Sequence, residues 1–149
     1  IIHRDLKPDN IMLVRQGNDP LYVKLLDFGL AKAGTFSRLT ETGMLIGTLS
    51  YIAPEQITES AYSSASDIYS LGVTFYEMVT GIKPFFGETS LEIMKEILNK
   101  DPAEPMRLRE ETPRDLSRLV MRMIAKKPGD RPLLPAVCDI LEHIRSSNI

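Results

Sequence analysis

The sequence predicts a mainly α fold with a small β-hairpin at its front. Three observations carry this. Two short apolar runs, residues 11–14 and 21–26, flank the turn formers Gln16, Gly17, Asn18, Asp19 and Pro20. Residues 27–54 hold neither a helical nor a strand period. From Ser66 onward, apolar residues recur at helical spacing in four successive segments.

Taken in order, the two runs read as antiparallel strands joined by a longer loop, with Leu21, Val23 and Leu25 alternating along the second. Gly29, Gly34, Gly43 and Gly47 then punctuate a stretch that reads as one long loop, and a loop of that length in a compact chain is usually functional. Between Ser66 and Thr80 apolar residues fall on nearly every face, which predicts a buried helix stopped by Gly81 and Pro84. Thr89 and Glu92 form a capping box ahead of Leu91, Ile93, Met94, Ile97 and Leu98, and Asp101-Pro102 closes that helix. Thr112 as cap, Pro113 at the first helical position and Asp115 in the first turn precede Leu116, Leu119, Val120, Met123 and Ile124 on one stripe. A last helix runs from about Pro135 to Arg145, with Val137, Ile140, Leu141 and Ile144 facing inward.

Composition excludes several functions. With 43% hydrophobic and 26% charged residues in 149, the chain is an ordinary globular one and of single-domain size. Its 18 basic and 20 acidic residues leave a net charge of −2, so no global field draws in nucleic acid or an anionic membrane. No run approaches the roughly 18 uninterrupted apolar residues of a spanning helix. The one cysteine, Cys138, has no partner for a disulfide within the chain and shares no zinc-ligand spacing with His3 and His143.

Chemistry concentrates in three short motifs in fixed order. They are His3-Arg4-Asp5-Leu6-Lys7-Pro8-Asp9-Asn10, then Asp27-Phe28-Gly29, then Ala53-Pro54-Glu55. A chance H-R-D-x-x-x-x-N alone is on the order of one in a thousand for a chain this long. On these motifs the chain resembles eukaryotic-type protein kinases across essentially all its residues, and the stretch from Thr40 to Gln56 resembles the form found in bacteria. The resemblance implies the C-terminal lobe of the protein kinase fold (α+β), with the N-terminal lobe absent. Residues 1–149 are then a partial kinase domain: a catalytic loop, an activation loop over 27–55 and a helical lobe over 56–147.

The family's reaction needs few covalent parts, because phosphoryl transfer is mostly positioning and charge stabilisation. A carboxylate must face the attacking hydroxyl, and Asp5 is the candidate. Asn10 and Asp27 sit at opposite ends of the hairpin, so antiparallel pairing brings two hard oxygen donors together for Mg2+ bound with ATP. Lys7 is a compact cation for the transferring phosphate. By resemblance the Thr48 hydroxyl bridges Asp5 and Lys7, and Lys7-Pro8 with Gly47-Thr48 matches serine/threonine rather than tyrosine kinases. Arg4 resembles the arginine that binds an activation-loop phosphate, with Thr40 or Thr42 as the phosphorylated residue.

Other positions read as structural. His3 and Phe28 resemble members of an apolar spine. Asp67 is expected to accept hydrogen bonds from the catalytic-loop backbone at a helix start. Glu55 and Arg131 resemble the family's buried ion pair, although Lys127-Pro128 stands where Asp-Pro is common.

No G-x-G-x-x-G and no V-A-I-K strand occur in the 149 residues. The resemblance therefore implies a cytoplasmic serine/threonine kinase half that needs an N-terminal lobe, takes ATP and Mg2+, and acts on protein substrates. It carries no membrane segment of its own, and any anchor of the full-length protein lies outside these residues. On this reading residues 1–149 alone are inactive. The competing reading is a non-catalytic, kinase-like binding or regulatory module.

Overall fold

The computed structural model describes residues 2–17, 19–26 and 46–147. Strands β1 (Ile11–Gln16) and β2 (Asp19–Leu25) form a two-stranded antiparallel sheet. Among the described residues seven helices follow: α1 (Ile46–Leu49), α2 (Pro54–Thr58), α3 (Ser64–Thr80), α4 (Ser90–Asn99), α5 (Pro105–Leu108), α6 (Arg114–Met123) and α7 (Leu134–Ser147). Single 3-10 turns occupy Pro8–Asn10 and Pro128–Asp130.

The hairpin is tighter than the turn formers imply. Pairing runs from Ile11↔Leu25 out to Gln16↔Asp19, with an irregularity between Val14 and Gln16. Asp19 and Pro20 thus belong to β2 and not to a longer loop. A two-stranded sheet has two outer edges, and proline is tolerated wherever a strand needs no ladder donor. Gly17, at φ +58, makes the reversal in the left-handed region that glycine enters without penalty.

Helix α3 is the axis of the helical part. Ser63 caps it: its hydroxyl accepts from the Ser66 amide at 3.4 Å, while its own amide donates to the Ser66 hydroxyl at 3.1 Å. Tyr69, Val73 and Tyr76 enter one core with Leu49, Phe85, Ile93, Ile97 and Val120. Ile68 enters a second, with Leu119, Met123 and Val137. Packing on two sides explains why apolar residues cover most of its circumference, and the exposed Met78 shows where the cover ends. Gly81, at φ +78, closes the helix in a left-handed cap and donates to the Glu77 carbonyl at 2.8 Å.

Several boundaries differ from the sequence reading. Helix α6 starts one residue late, at Arg114, with Pro113 in the cap position and no side-chain cap bond. Thr89 does accept from the Glu92 amide at 3.2 Å, but the Glu92 carboxylate reaches the Glu88 amide at 2.8 Å instead of returning to Thr89. Helices α1, α2 and α5 have four or five residues each, too few to show a period.

Where α3 crosses α6, Gly72 lets the backbones meet. A Cβ there would lie 2.7 Å from Met123 Cβ and 2.9 Å from Ile124 Cγ2. Gly72→Ala is expected to destabilise the protein by about 1–3 kcal/mol through overpacking. Urea denaturation checks this, and an unchanged midpoint would show that the helices part freely.

Candidate active site

The site is assembled on the loop that enters the hairpin. Asp67, in the first turn of α3, accepts from the His3 amide at 2.6 Å and from the Arg4 amide at 2.9 Å. The helix N-terminus favours its charge. Arg4 sits at φ +70, a left-handed conformation costing a non-glycine residue roughly 1–2 kcal/mol. Two hydrogen bonds to one carboxylate offset that strain and fix the direction of the following residue, Asp5. The Arg4 guanidinium is exposed and lies 5.7 Å from the centre of the Tyr62 ring.

His3 is buried and joins the loop to the hairpin. Its Nε2 meets the Leu26 carbonyl at 3.2 Å and its Nδ1 accepts from the Asp5 amide at 3.4 Å, which assigns the proton to Nε2. The Leu26 amide in turn donates to the Asn10 carbonyl at 2.9 Å. Both ends of the hairpin therefore converge on the loop.

Asn10, also buried, donates Nδ2 to the Asp5 carbonyl at 2.7 Å and to Asp5 Oδ2 at 2.9 Å. The same Oδ2 lies 3.7 Å from Lys7 Nζ, with side chains 15% and 13% exposed, enough shielding for the ion pair to matter. Lys7 Nζ donates to Thr48 Oγ1 at 3.2 Å. In this geometry Lys7 is the link, with Asp5 on one side and Thr48 on the other.

Thr48 is held from behind. Lys83 Nζ donates to the Gly47 carbonyl at 3.1 Å and lies 5.1 Å from the centre of the Tyr51 ring. The Tyr51 hydroxyl donates to the Glu77 carboxylate, and the Ser70 hydroxyl donates to the Tyr51 carbonyl at 2.7 Å. Burial, and then the Glu77 carboxylate beside it, push the Tyr51 phenol above its ordinary range. Sequence reasoning missed Tyr51, Glu77 and Lys83, and no spacing signal links residues so far apart in the chain.

Arg131 and Glu55 form a bidentate pair at 2.7 and 2.8 Å, with side chains 0% and 8% exposed. Arg131 also donates to the carbonyls of Ala65, Ala125 and Lys126, and Ser66 Oγ donates to Glu55 at 2.8 Å. Burial alone would raise the Glu55 pKa. Hydrogen bonds from Arg131, backbone and Ser66, with the Arg131 charge, outweigh it and hold Glu55 below its ordinary value.

Asp27, Phe28, Thr40 and Thr42 lie outside the described residues. Among the described residues no group of three or more His, Cys, Asp or Glu could hold a metal ion, and no helix is long and apolar enough to cross a membrane.

Comparison with known proteins follows the same lines. The family model for the protein kinase domain matches residues 1–143. The serine/threonine-protein kinase pkn3 of Myxococcus xanthus is 38% identical over 138 residues, covering 89% of this chain and 25% of the relative. The tyrosine-protein kinase MasK of the same species is 37% identical over 150 residues, 100% of this chain and 23% of the relative. The serine/threonine-protein kinase PknB of Mycolicibacterium smegmatis is 38% identical over 133 residues, covering 88% and 21%. The chain spans about a quarter of the length of these relatives.

Proposed function

The chain belongs to the protein kinase domain family, and from that premise we propose that it serves a kinase transferring the ATP γ-phosphate to serine or threonine hydroxyls of proteins. One observation carries the reading: Asp5 is held by Asn10 and by Lys7, and Lys7 in turn reaches Thr48. Asp5 Oδ1 and Oδ2 supply the base that takes the proton from the acceptor hydroxyl. Lys7 steadies negative charge on the transferring group, and Thr48 keeps Lys7 in place.

Asn10 spends its Nδ2 on Asp5, so its amide oxygen is the donor that remains, a hard ligand suited to Mg2+. Asp27, next in sequence after Leu26, is the second ligand. Bound Mg2+ and ATP supply the phosphoryl group and neutralise its charge. The sequence holds no G-x-G-x-x-G and no V-A-I-K strand, the family's motifs for the nucleotide phosphates, which supports reading it as the C-terminal lobe, working with an N-terminal lobe and inactive alone.

Among the described residues Arg4 makes no ion pair and keeps its guanidinium at the surface over Tyr62. That supports Arg4 as the receptor for a phosphate on Thr40 or Thr42. Incubating the full-length protein with Mg·ATP and a protein acceptor, then mapping phosphate by mass spectrometry, tests both parts. Phosphoserine or phosphothreonine on the acceptor, with phosphate at Thr40 or Thr42, is the expected result. Phosphotyrosine would place the chain with MasK in specificity. No transfer at all would favour a binding or regulatory module, and phosphate only at Thr35 or Ser37 would remove Arg4's assigned partner.

A further inference from the structure

We propose that Lys83 is a positioning residue for Thr48, acting through the Gly47 carbonyl; the proposal rests on the reading of Thr48 given above. Among the described residues both contacts of Lys83 Nζ fall on the same short segment: the Gly47 carbonyl at 3.1 Å and the Tyr51 ring at 5.1 Å. Among the described residues it has no carboxylate partner. A surface lysine with no ion pair gains little by holding one rotamer, because ordering its long stem costs side-chain entropy. Here two attractive contacts flank Thr48 on either side in sequence.

The base from which Lys83 reaches is itself rigid. Two residues earlier Gly81 closes α3, and Pro84 and Phe85 immediately after are buried. A Cβ at position 47 would lie 4.0 Å from Lys83 Nζ, which places the ammonium directly beside this residue's backbone. Thr48 is thereby gripped from two directions. Lys7 holds its hydroxyl from the catalytic loop, and Lys83 holds the preceding carbonyl from the loop after α3. If the Gly47 carbonyl swings, Thr48 moves with it and Lys7 loses its second partner. This chain of contacts reaches the transferring group only through Lys7, so the effect falls on the transfer step rather than on nucleotide binding.

The test uses the full-length protein with Mg·ATP and a serine or threonine peptide, in four forms: Lys83→Met, Lys83→Arg, Thr48→Val and the Lys83→Met/Thr48→Val double variant. Lys83→Met is expected to lower kcat/KM for the peptide about tenfold, with the KM for ATP unchanged. Lys83→Arg, which keeps a donor and a cation, restores most of it. Adding Lys83→Met to Thr48→Val lowers the rate by less than about twofold more, the non-additivity of two residues acting as one unit. Multiplying effects in an active protein overturn the proposal alone, as does wild-type behaviour of Lys83→Met or a parallel loss of ATP affinity. A Thr48→Val variant with full activity overturns both the proposal and the role of Thr48. Absence of transfer by the wild-type protein removes the kinase reading and this proposal together.

Discussion

Asp5→Asn in the full-length protein is expected to lower phosphoryl transfer by about 10²- to 10⁴-fold, the usual contribution of a positioned general base. The substitution is nearly isosteric. An amide oxygen at that place still accepts from Asn10 Nδ2, whose bond to Asp5 Oδ2 is 2.9 Å. The backbone bonds that fix the loop, from His3 and Arg4 to Asp67, are untouched. What disappears is the capacity to take a proton and the charge 3.7 Å from Lys7. Rate assays at saturating ATP and peptide check the result, and urea denaturation of the same preparation checks that folding is retained. A variant with more than a tenth of wild-type activity would move the base elsewhere.

Arg131→Met should produce the largest loss of stability, about 3–5 kcal/mol at neutral pH, because Glu55 is left as a buried carboxylate without its cation. Ser66 alone remains to satisfy it among side chains, through the bond at 2.8 Å. The carbonyls of Ala65, Ala125 and Lys126 also lose the donor that Arg131 supplies. The pH dependence has a definite sign. Glu55 titrates below its ordinary value of 4.5 in the native protein, so its pair contributes stability above that value and loses it as pH falls through the lowered native value. In the variant, burial raises the Glu55 pKa, and protonation then relieves the unpaired charge. The gap between wild type and Arg131→Met should accordingly narrow between neutral pH and about pH 4. Denaturant titrations at both pH values measure it. A gap below about 1 kcal/mol, or one that widens on acidification, would mean the pair is not coupled to folding as described.

Local physics was legible in the sequence where it is periodic or short-range. The all-round apolar pattern of α3, the Thr89 cap and the stop at Gly81 all follow from neighbours within a few residues. The hairpin loop is shorter than its composition implies because Asp19 and Pro20 are turn formers by type, while an edge strand accepts them. Helices α1, α2 and α5 escaped because one turn has no period. In the site, Asp5, Lys7 and Asn10 are sequence neighbours whose contacts need only a tight loop. Glu55–Arg131 and Asp67 with residues 3 and 4 span separations of more than 60 residues, and only the family resemblance pairs them. Lys83 and Glu77 match no motif in the sequence, so their grip on segment 47–51 emerges only once α3 folds beside it.

Whether Asp5, Lys7 and Asn10 form the phosphoryl-transfer centre of a kinase is decided by separating nucleotide binding from chemistry. The measurement is the affinity for Mg·ATP and the single-turnover transfer rate of wild-type and Asp5→Asn full-length protein, side by side. An affinity changed by no more than about twofold with transfer down at least about a hundredfold is expected, the mark of an interaction made in the transition state. Equal transfer rates in the two proteins, or affinity and rate falling together, would contradict it.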